Sequence, residues 1–107
     1  MTNKVESAVY QHRVDKDLAL FEHHFPGDPL VPGALICHWV CVGLRRQTSW
    51  SAKGISNIKF FKPLRPADDY RIEYTIDSDK QMAKFICYVD TQIICKGSMR
   101  IQRISNE

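Results

Sequence analysis

The chain has 107 residues, room for one domain of ordinary size. Its 44% apolar and 25% charged content is that of a soluble globular protein. The net charge of +3 is mild, its cations are dispersed, and no recognition motif accompanies them, which excludes nucleic acid and suits an acidic macromolecular partner.

Residues 1–7 hold no apolar run of the signal-peptide kind. A plausible first strand covers Val5 to Val14, with Val5, Ser7 and Val9 on one face and Glu6, Ala8 and Tyr10 on the other. Asp17 is placed to cap a short helical turn through Leu18, Ala19, Leu20 and Phe21. A stiff loop follows. Pro26, Pro29 and Pro32 each fix their own φ and push the preceding residue towards extended geometry. Gly27 and Gly33 supply conformations that a side chain forbids.

From about Pro32 to about Gln47 the pattern predicts a helix roughly 24 Å long. Ala34, Leu35, Ile36, Cys37, Trp39, Val40, Cys41, Val42 and Leu44 are apolar, interrupted only by His38 and Gly43. A helix apolar on every side is expected to be buried. The run is too short to span a membrane, which takes about 20 apolar residues. Arg45 and Arg46 suit the negative pole of the helix and read as a solvated end.

Thr48 to Gly54 reads as a loop, and Ile55 to Leu64 as a strand closed by Pro63 and Pro66. Tyr70 to Ile76 alternates, with Tyr70, Ile72, Tyr74 and Ile76 on one face. Asp77 to Lys80 is a hairpin turn, and Met82 to Val89 and Ile93 to Ile101 are two more strands. The tally is one long helix and about five strands in an antiparallel sheet, an α+β layout. Cys37 and Cys41, one helical turn apart, are poorly placed for a disulfide, and no Cys-x-x-Cys occurs. All four cysteines are expected to be reduced core hydrophobes in a cytoplasmic protein.

The run His24-Phe25-Pro26-Gly27-x-Pro29-x-x-Pro32-Gly33-x-Leu35 resembles the signature of the hot-dog-fold 3-hydroxyacyl-[acyl carrier protein] dehydratases. A second resemblance runs from Ile58 to Asp68, where Ala67 replaces the glycine of a Pro-Gly-Asp turn. The resemblance implies a sheet wrapped around one long central helix, with a second copy completing a continuous sheet in a dimer. It also implies that His24 is catalytic. The family's second catalytic group is an acidic residue five positions after the Pro-Gly glycine, and here that position holds His38. With Trp39 and Val40 following, this departure is more like the small dehydratases of aryl polyene biosynthesis.

Dehydration needs a base for the C2 proton, an acid for the departing C3 hydroxyl, and donors for the charge that develops on the thioester oxygen. By analogy His24 is the base, since a neutral imidazole titrates near pH 7. The N–H of Gly33 at the helix start is the natural oxyanion donor. Ala34 and Phe25 are expected to contact the substrate beside it. In the related enzymes the acid on the helix serves a site shared with the partner subunit's histidine. Burial would disfavour an imidazolium there, so His38 is expected to orient the hydroxyl by a hydrogen bond.

The implied partner is an acyl carrier protein bearing its substrate on a phosphopantetheine thioester, within a homodimer or a heterodimer. No metal or diffusible cofactor is expected. His23, His24, His38 and the cysteines lack zinc-binding spacing. His23 stands where relatives commonly carry glycine. Phe60 and Phe61 read as core and lip residues. Two rival readings are a hot-dog thioesterase, for which only Glu22 and Asp28 lie close in sequence, and a non-catalytic subunit that has lost its acid at position 38.

Overall fold

The structure, a computed structural model, describes residues 5–17 and 30–104. Its elements are β1 (Val5–Arg13), α1 (Gly33–Gln47), β2 (Trp50–Phe60), β3 (Asp69–Asp77), β4 (Met82–Val89) and β5 (Gln92–Arg103). The strands form one sheet in the order β1-β3-β4-β5-β2, every neighbour antiparallel. Period-2 patterning sets which face is dry. Tyr70, Ile72, Tyr74 and Ile76 of β3 are buried, as are Ala83, Phe85 and Cys87 of β4 and Cys95, Met99 and Ile101 of β5. On β1, Tyr10 is buried, so the face carrying Glu6, Ala8 and Tyr10 is the inner one.

The helix lies across this inner face. The Pro32 carbonyl accepts from the amides of Leu35 and Ile36, so Pro32 is the N-cap and Gly33 the first helical residue. Ile36, Val40, Gly43 and Leu44 recur at helical spacing and are buried. Ala34, His38 and Arg45 are exposed on the opposite side, with Cys37, Cys41 and Val42 half-buried among them. The helix is therefore buried on one face of a single chain, not on all sides as its composition led us to expect.

Gly43 sets how deep the helix sits. A Cβ there would lie 2.6 Å from Tyr10 Cδ2 and would also strike the Tyr74 hydroxyl. That hydroxyl donates to the Val40 carbonyl at 2.6 Å. Burial pushes the Tyr74 phenol far above its ordinary value of 10.0, so the group stays neutral.

Residues 48–54 are not all loop. β2 begins at Trp50, because β5 runs on to Arg103 and offers it a partner. The polar and small residues Ser51, Ala52, Lys53 and Gly54 hide any period-2 signal. The sheet curls so far that Trp50, on one edge strand, donates its Nε1 to the Glu6 carboxylate on the other edge at 3.0 Å. β2 ends at Phe60 rather than Leu64, since the amides of Phe61 and Lys62 converge on the Ile94 carbonyl before Pro63 leads away. β1 stops one residue before Val14, whose amide turns to the Asp68 carbonyl. The short helical turn expected through Leu18 to Phe21 lies outside the described residues. Among those described, no helix is long and apolar enough to cross a membrane.

The turn after Pro66 places Ala67 at φ 67, a left-handed conformation suited to glycine. The Asp77 carboxylate shapes the β3–β4 turn by accepting from the amides of Asp79 and Lys80.

Gly43→Ala is expected to lower the unfolding free energy by about 2 kcal/mol through overpacking, read from a urea midpoint. Ala67→Gly is expected to raise it by about 0.5 kcal/mol, the released strain being partly offset by the entropy of a glycine in the unfolded chain. A phenol whose folded pKa is raised gives stability that is full below its unfolded pKa and lost as pH climbs above it. Tyr74 should therefore drive an alkaline decline that starts near its ordinary value of 10.0. Tyr74→Phe should cost about 1 kcal/mol at pH 7 and make that decline shallower, measured by urea midpoints from pH 7 to 11.

Candidate active site

At the helix start an open cleft of about 370 Å³ lies between Leu30, Gly33 and Ile36 on one side and Phe60, Phe61 and Lys62 on the other. The first amides of a helix have no acceptor within it, and they carry its positive pole. Here the Leu35 and Ile36 amides are taken by the Pro32 carbonyl. The Gly33 and Ala34 amides precede them, at the end of the helix that adjoins the cleft. Phe60 closes on Gly33 so tightly that a Cβ would lie 2.9 Å from its Cζ. The missing side chain at Gly33 thus lets the lip of β2 approach the start of the helix. Phe60 and Phe61 are 48% and 52% exposed, so both are lip residues and neither belongs to the core.

His38 stands elsewhere. Five positions carry it about 7.5 Å along the helix and about 140° around it from Gly33. It lies on the exposed side, with Ala34, Cys41, Val42 and Arg45 in the same stripe. It does not line the cleft. The burial expected for His38 is not supplied by its own subunit. His24 and Phe25, together with Glu22, His23 and Asp28, lie outside the described residues. Of the expected site, the structure brings Gly33 to the cleft, while Ala34 does not line it and stands with His38 on the exposed side of the helix.

One cluster was not anticipated. His12 projects from the inner face of β1, in phase with Ala8 and Tyr10, and its Nδ1 lies 3.2 Å from the Tyr70 hydroxyl. Trp39 of the helix stacks on Tyr70 with ring centroids 5.5 Å apart, while Tyr10 lies parallel to His12 at 5.8 Å. Burial pushes the Tyr70 phenol well above its ordinary range. The period-2 placement of His12 was the signal that could have revealed it, but the strand's inner face was not assigned in advance.

The four cysteines are free thiols. Burial pushes Cys37 and Cys41 above their ordinary range. Cys87 and Cys95 oppose each other across β4 and β5. The hydrogen bond between them, together with burial, holds the Cys87 proton in place. The same hydrogen bond lowers Cys95, whose side chain is buried away from solvent, while Cys37, Cys41 and Cys87 are held as thiols, the less nucleophilic form.

The curled antiparallel sheet, the one helix among the described residues that lies across it and the cleft at the helix start define a hot-dog-fold protein. Residues 1–98 match the model of the ApeI-like family, described as ApeI dehydratase. The chain is 32% identical over 106 residues to the 3-hydroxyacyl-[acyl-carrier-protein] dehydratase FabZ of Ligilactobacillus salivarius, covering 88% of this chain and 76% of that one. It is 32% identical over 91 residues to the FabZ of Caldicellulosiruptor saccharolyticus, covering 74% of this chain and 65% of its relative. The dehydratase heterocomplex ApeI:P from Xenorhabdus doucetiae superposes with a TM-score of 0.78 at 28% identity, over 92% of this chain and 94% of that one. The chain belongs to the ApeI-like dehydratase family, hot-dog enzymes of the 3-hydroxyacyl-[acyl carrier protein] dehydratase type.

Proposed function

We propose that this chain removes water from a 3-hydroxyacyl thioester held on acyl carrier protein, leaving the trans-2-enoyl thioester. His24 takes the C2 proton. The Gly33 amide, with Ala34 beside it, steadies the charge that grows on the thioester oxygen, and Phe25 packs on the acyl chain. His38 holds the C3 hydroxyl as it departs. The proton taken from C2 and the hydroxyl lost from C3 together make the water released, so the reaction needs no redox partner or diffusible cofactor. The cytoplasm, where these thiols stay reduced, is the compartment we assign.

The observation that carries this reading is the outward placement of His38. A side chain on the far side of the helix from its own sheet is useful to a site that a second subunit completes. The half-buried Cys37, Cys41 and Val42 beside it give that second subunit an apolar surface to cover. We therefore assign a homodimer with two equivalent sites. Pairing with a different hot-dog chain is the second reading, favoured by the similarity to one half of a dehydratase heterocomplex.

With a 3-hydroxyacyl carrier thioester, His24→Ala is expected to lower kcat by about 10²- to 10⁴-fold. His38→Ala should cost about 10²-fold, while His38→Glu should stay within about tenfold of the parent, because a carboxylic acid can also serve the hydroxyl. A saturated acyl thioester should release no free thiol. Indifference of the rate to both substitutions at position 38 removes His38 from the mechanism. Light scattering should find two chains per particle; a monomer that gains activity only with a second hot-dog chain selects the heterodimer.

A further inference from the structure

Two thiols meet on the inner face of the sheet, and the dehydration chemistry has no use for either. Cys87 of β4 and Cys95 of β5 are direct partners in the antiparallel register, and both side chains are buried. The Cα atoms of such partners lie about 4.5 or about 5.5 Å apart, depending on the type of pair. A disulfide accepts Cα separations of roughly 4.4 to 6.8 Å, so a bridge fits here without parting the strands. Opposed Cβ atoms stand about 4.5 to 5.5 Å apart, whereas a disulfide holds them near ~3.8 Å. Closing the bridge therefore draws the two residues together and leaves a strained bond, the kind that thiols reduce readily.

The pair is also ordered chemically. Cys87 donates its S–H to the Cys95 sulfur, so Cys95 is the one that gives up its own proton more easily. The thiolate is the form that attacks an oxidant. The β4–β5 register shifts between Cys87 and Tyr88, beside the turn at Asp90 and Thr91. Local opening at this end of the hairpin admits a small oxidant to the sulfurs. On its other side Cys95 pairs with Phe60 of β2, and the carbonyl of the adjoining Ile94 accepts from the amides of Phe61 and Lys62. Phe60 and Phe61 are the lip of the cleft, and Phe60 already closes on Gly33 with no room for a Cβ between them. A displacement of Cys95 towards Cys87 is thus passed to that lip through the ladder.

We propose that Cys87 and Cys95 form a reversible disulfide in the presence of a hydroperoxide, and that the bridge slows turnover by shifting the lip of the cleft. The slowing rests on the reading of the chain as a dehydratase, whereas the bridge itself does not. With hydrogen peroxide, the Cys95 thiolate attacks one oxygen, the O–O bond breaks, and the other oxygen leaves with the Cys95 proton as water. The Cys87 sulfur then attacks the Cys95 sulfenic acid. The S–O bond breaks, and the hydroxide leaves with the Cys87 proton as a second water. Two thiols lose two electrons, and one peroxide gains them.

The test treats the folded full chain with hydrogen peroxide, blocks the remaining thiols with iodoacetamide in denaturant, and digests it with trypsin. Cleavage after Lys84 and Lys96 releases peptide 85–96, which carries both cysteines. It should be two hydrogens lighter than the reduced peptide, take up no iodoacetamide, and regain both thiols after dithiothreitol. No variant has to fold for this reading. Sulfinic acid in place of the bridge, a link from Cys95 to Cys37, or two alkylated thiols overturns the proposal. On a carrier-bound 3-hydroxyacyl substrate, kcat of the oxidised protein should fall about tenfold and recover with dithiothreitol, while Cys87→Ala should keep its rate through the same peroxide treatment. An equal loss in Cys87→Ala, or an unchanged rate in the bridged parent, overturns the control of the cleft. If the reduced parent has no turnover, the dehydratase reading fails by itself, and peptide 85–96 still decides the bridge.

Discussion

The helix can reach its sheet only because residue 43 has no side chain. At that point the backbone comes into contact with the Tyr10 ring and the Tyr74 hydroxyl, and the hydroxyl donates to the Val40 carbonyl. This contact fixes the depth of the helix and its rotation together. With Val40 and Gly43 held against the sheet, Ile36 and Leu44 fall on the same buried stripe. His38 is then forced to the other side, and Gly33 is delivered to the lip of β2. The placement of the chemistry follows from a packing event more than two turns away from the cleft.

The curl of the sheet completes the cradle. Twisted strands accumulate rotation across a sheet. Here the accumulated bend brings Trp50 on β2 within hydrogen-bonding distance of Glu6 on β1, although the two strands lie at opposite edges. Arg103 covers the Trp50 ring from outside, its guanidinium carbon 4.4 Å from the ring centre. The interior so enclosed is neutral: among the described residues no charged side chain is buried. Tyr70, Tyr74 and Cys87 keep their protons; burial penalises the two phenolate anions, and the hydrogen bond with Cys95 together with burial holds Cys87. Charge is confined to the rim, as in the exposed Arg13–Asp69 pair, where the guanidinium holds the carboxyl below its usual range. A pair so open to solvent contributes little to stability.

A dry floor and a helix pole at one end suit a thioester on a long arm. The acyl part needs an apolar path, and the carbonyl needs donors aimed at its oxygen. In the structure Gly33 and the lip formed by Phe60 and Phe61 line one cleft at the start of the helix. His38 is exposed on the other side of the helix. The two sides of an α-helix cannot both face one sheet, so His38 lies opposite the buried stripe of Ile36, Val40, Gly43 and Leu44.

Much of this was legible in the residues. Strict alternation in β3 fixed its buried face, since side chains two apart share a side of a pleated strand. The Pro-rich run ending at Gly33 placed the helix start to within one residue, because proline tolerates a helix only in its first turn. The ordered motif from His24 to Leu35 named the family, and the substitution at position 38 was visible by counting. What the residues could not show was anything decided by distant partners. β2 starts at Trp50 only because β5 is long enough to pair with it, and its polar residues carry no period of their own. Which side of an almost wholly apolar helix faces the sheet cannot be read from its pattern, and Gly43 decides it by steric contact with two tyrosines from other strands. Local pattern thus determined the elements and the chemistry they could carry, whereas long-range packing alone decided which side chains face inward, which face outward, and which stand together.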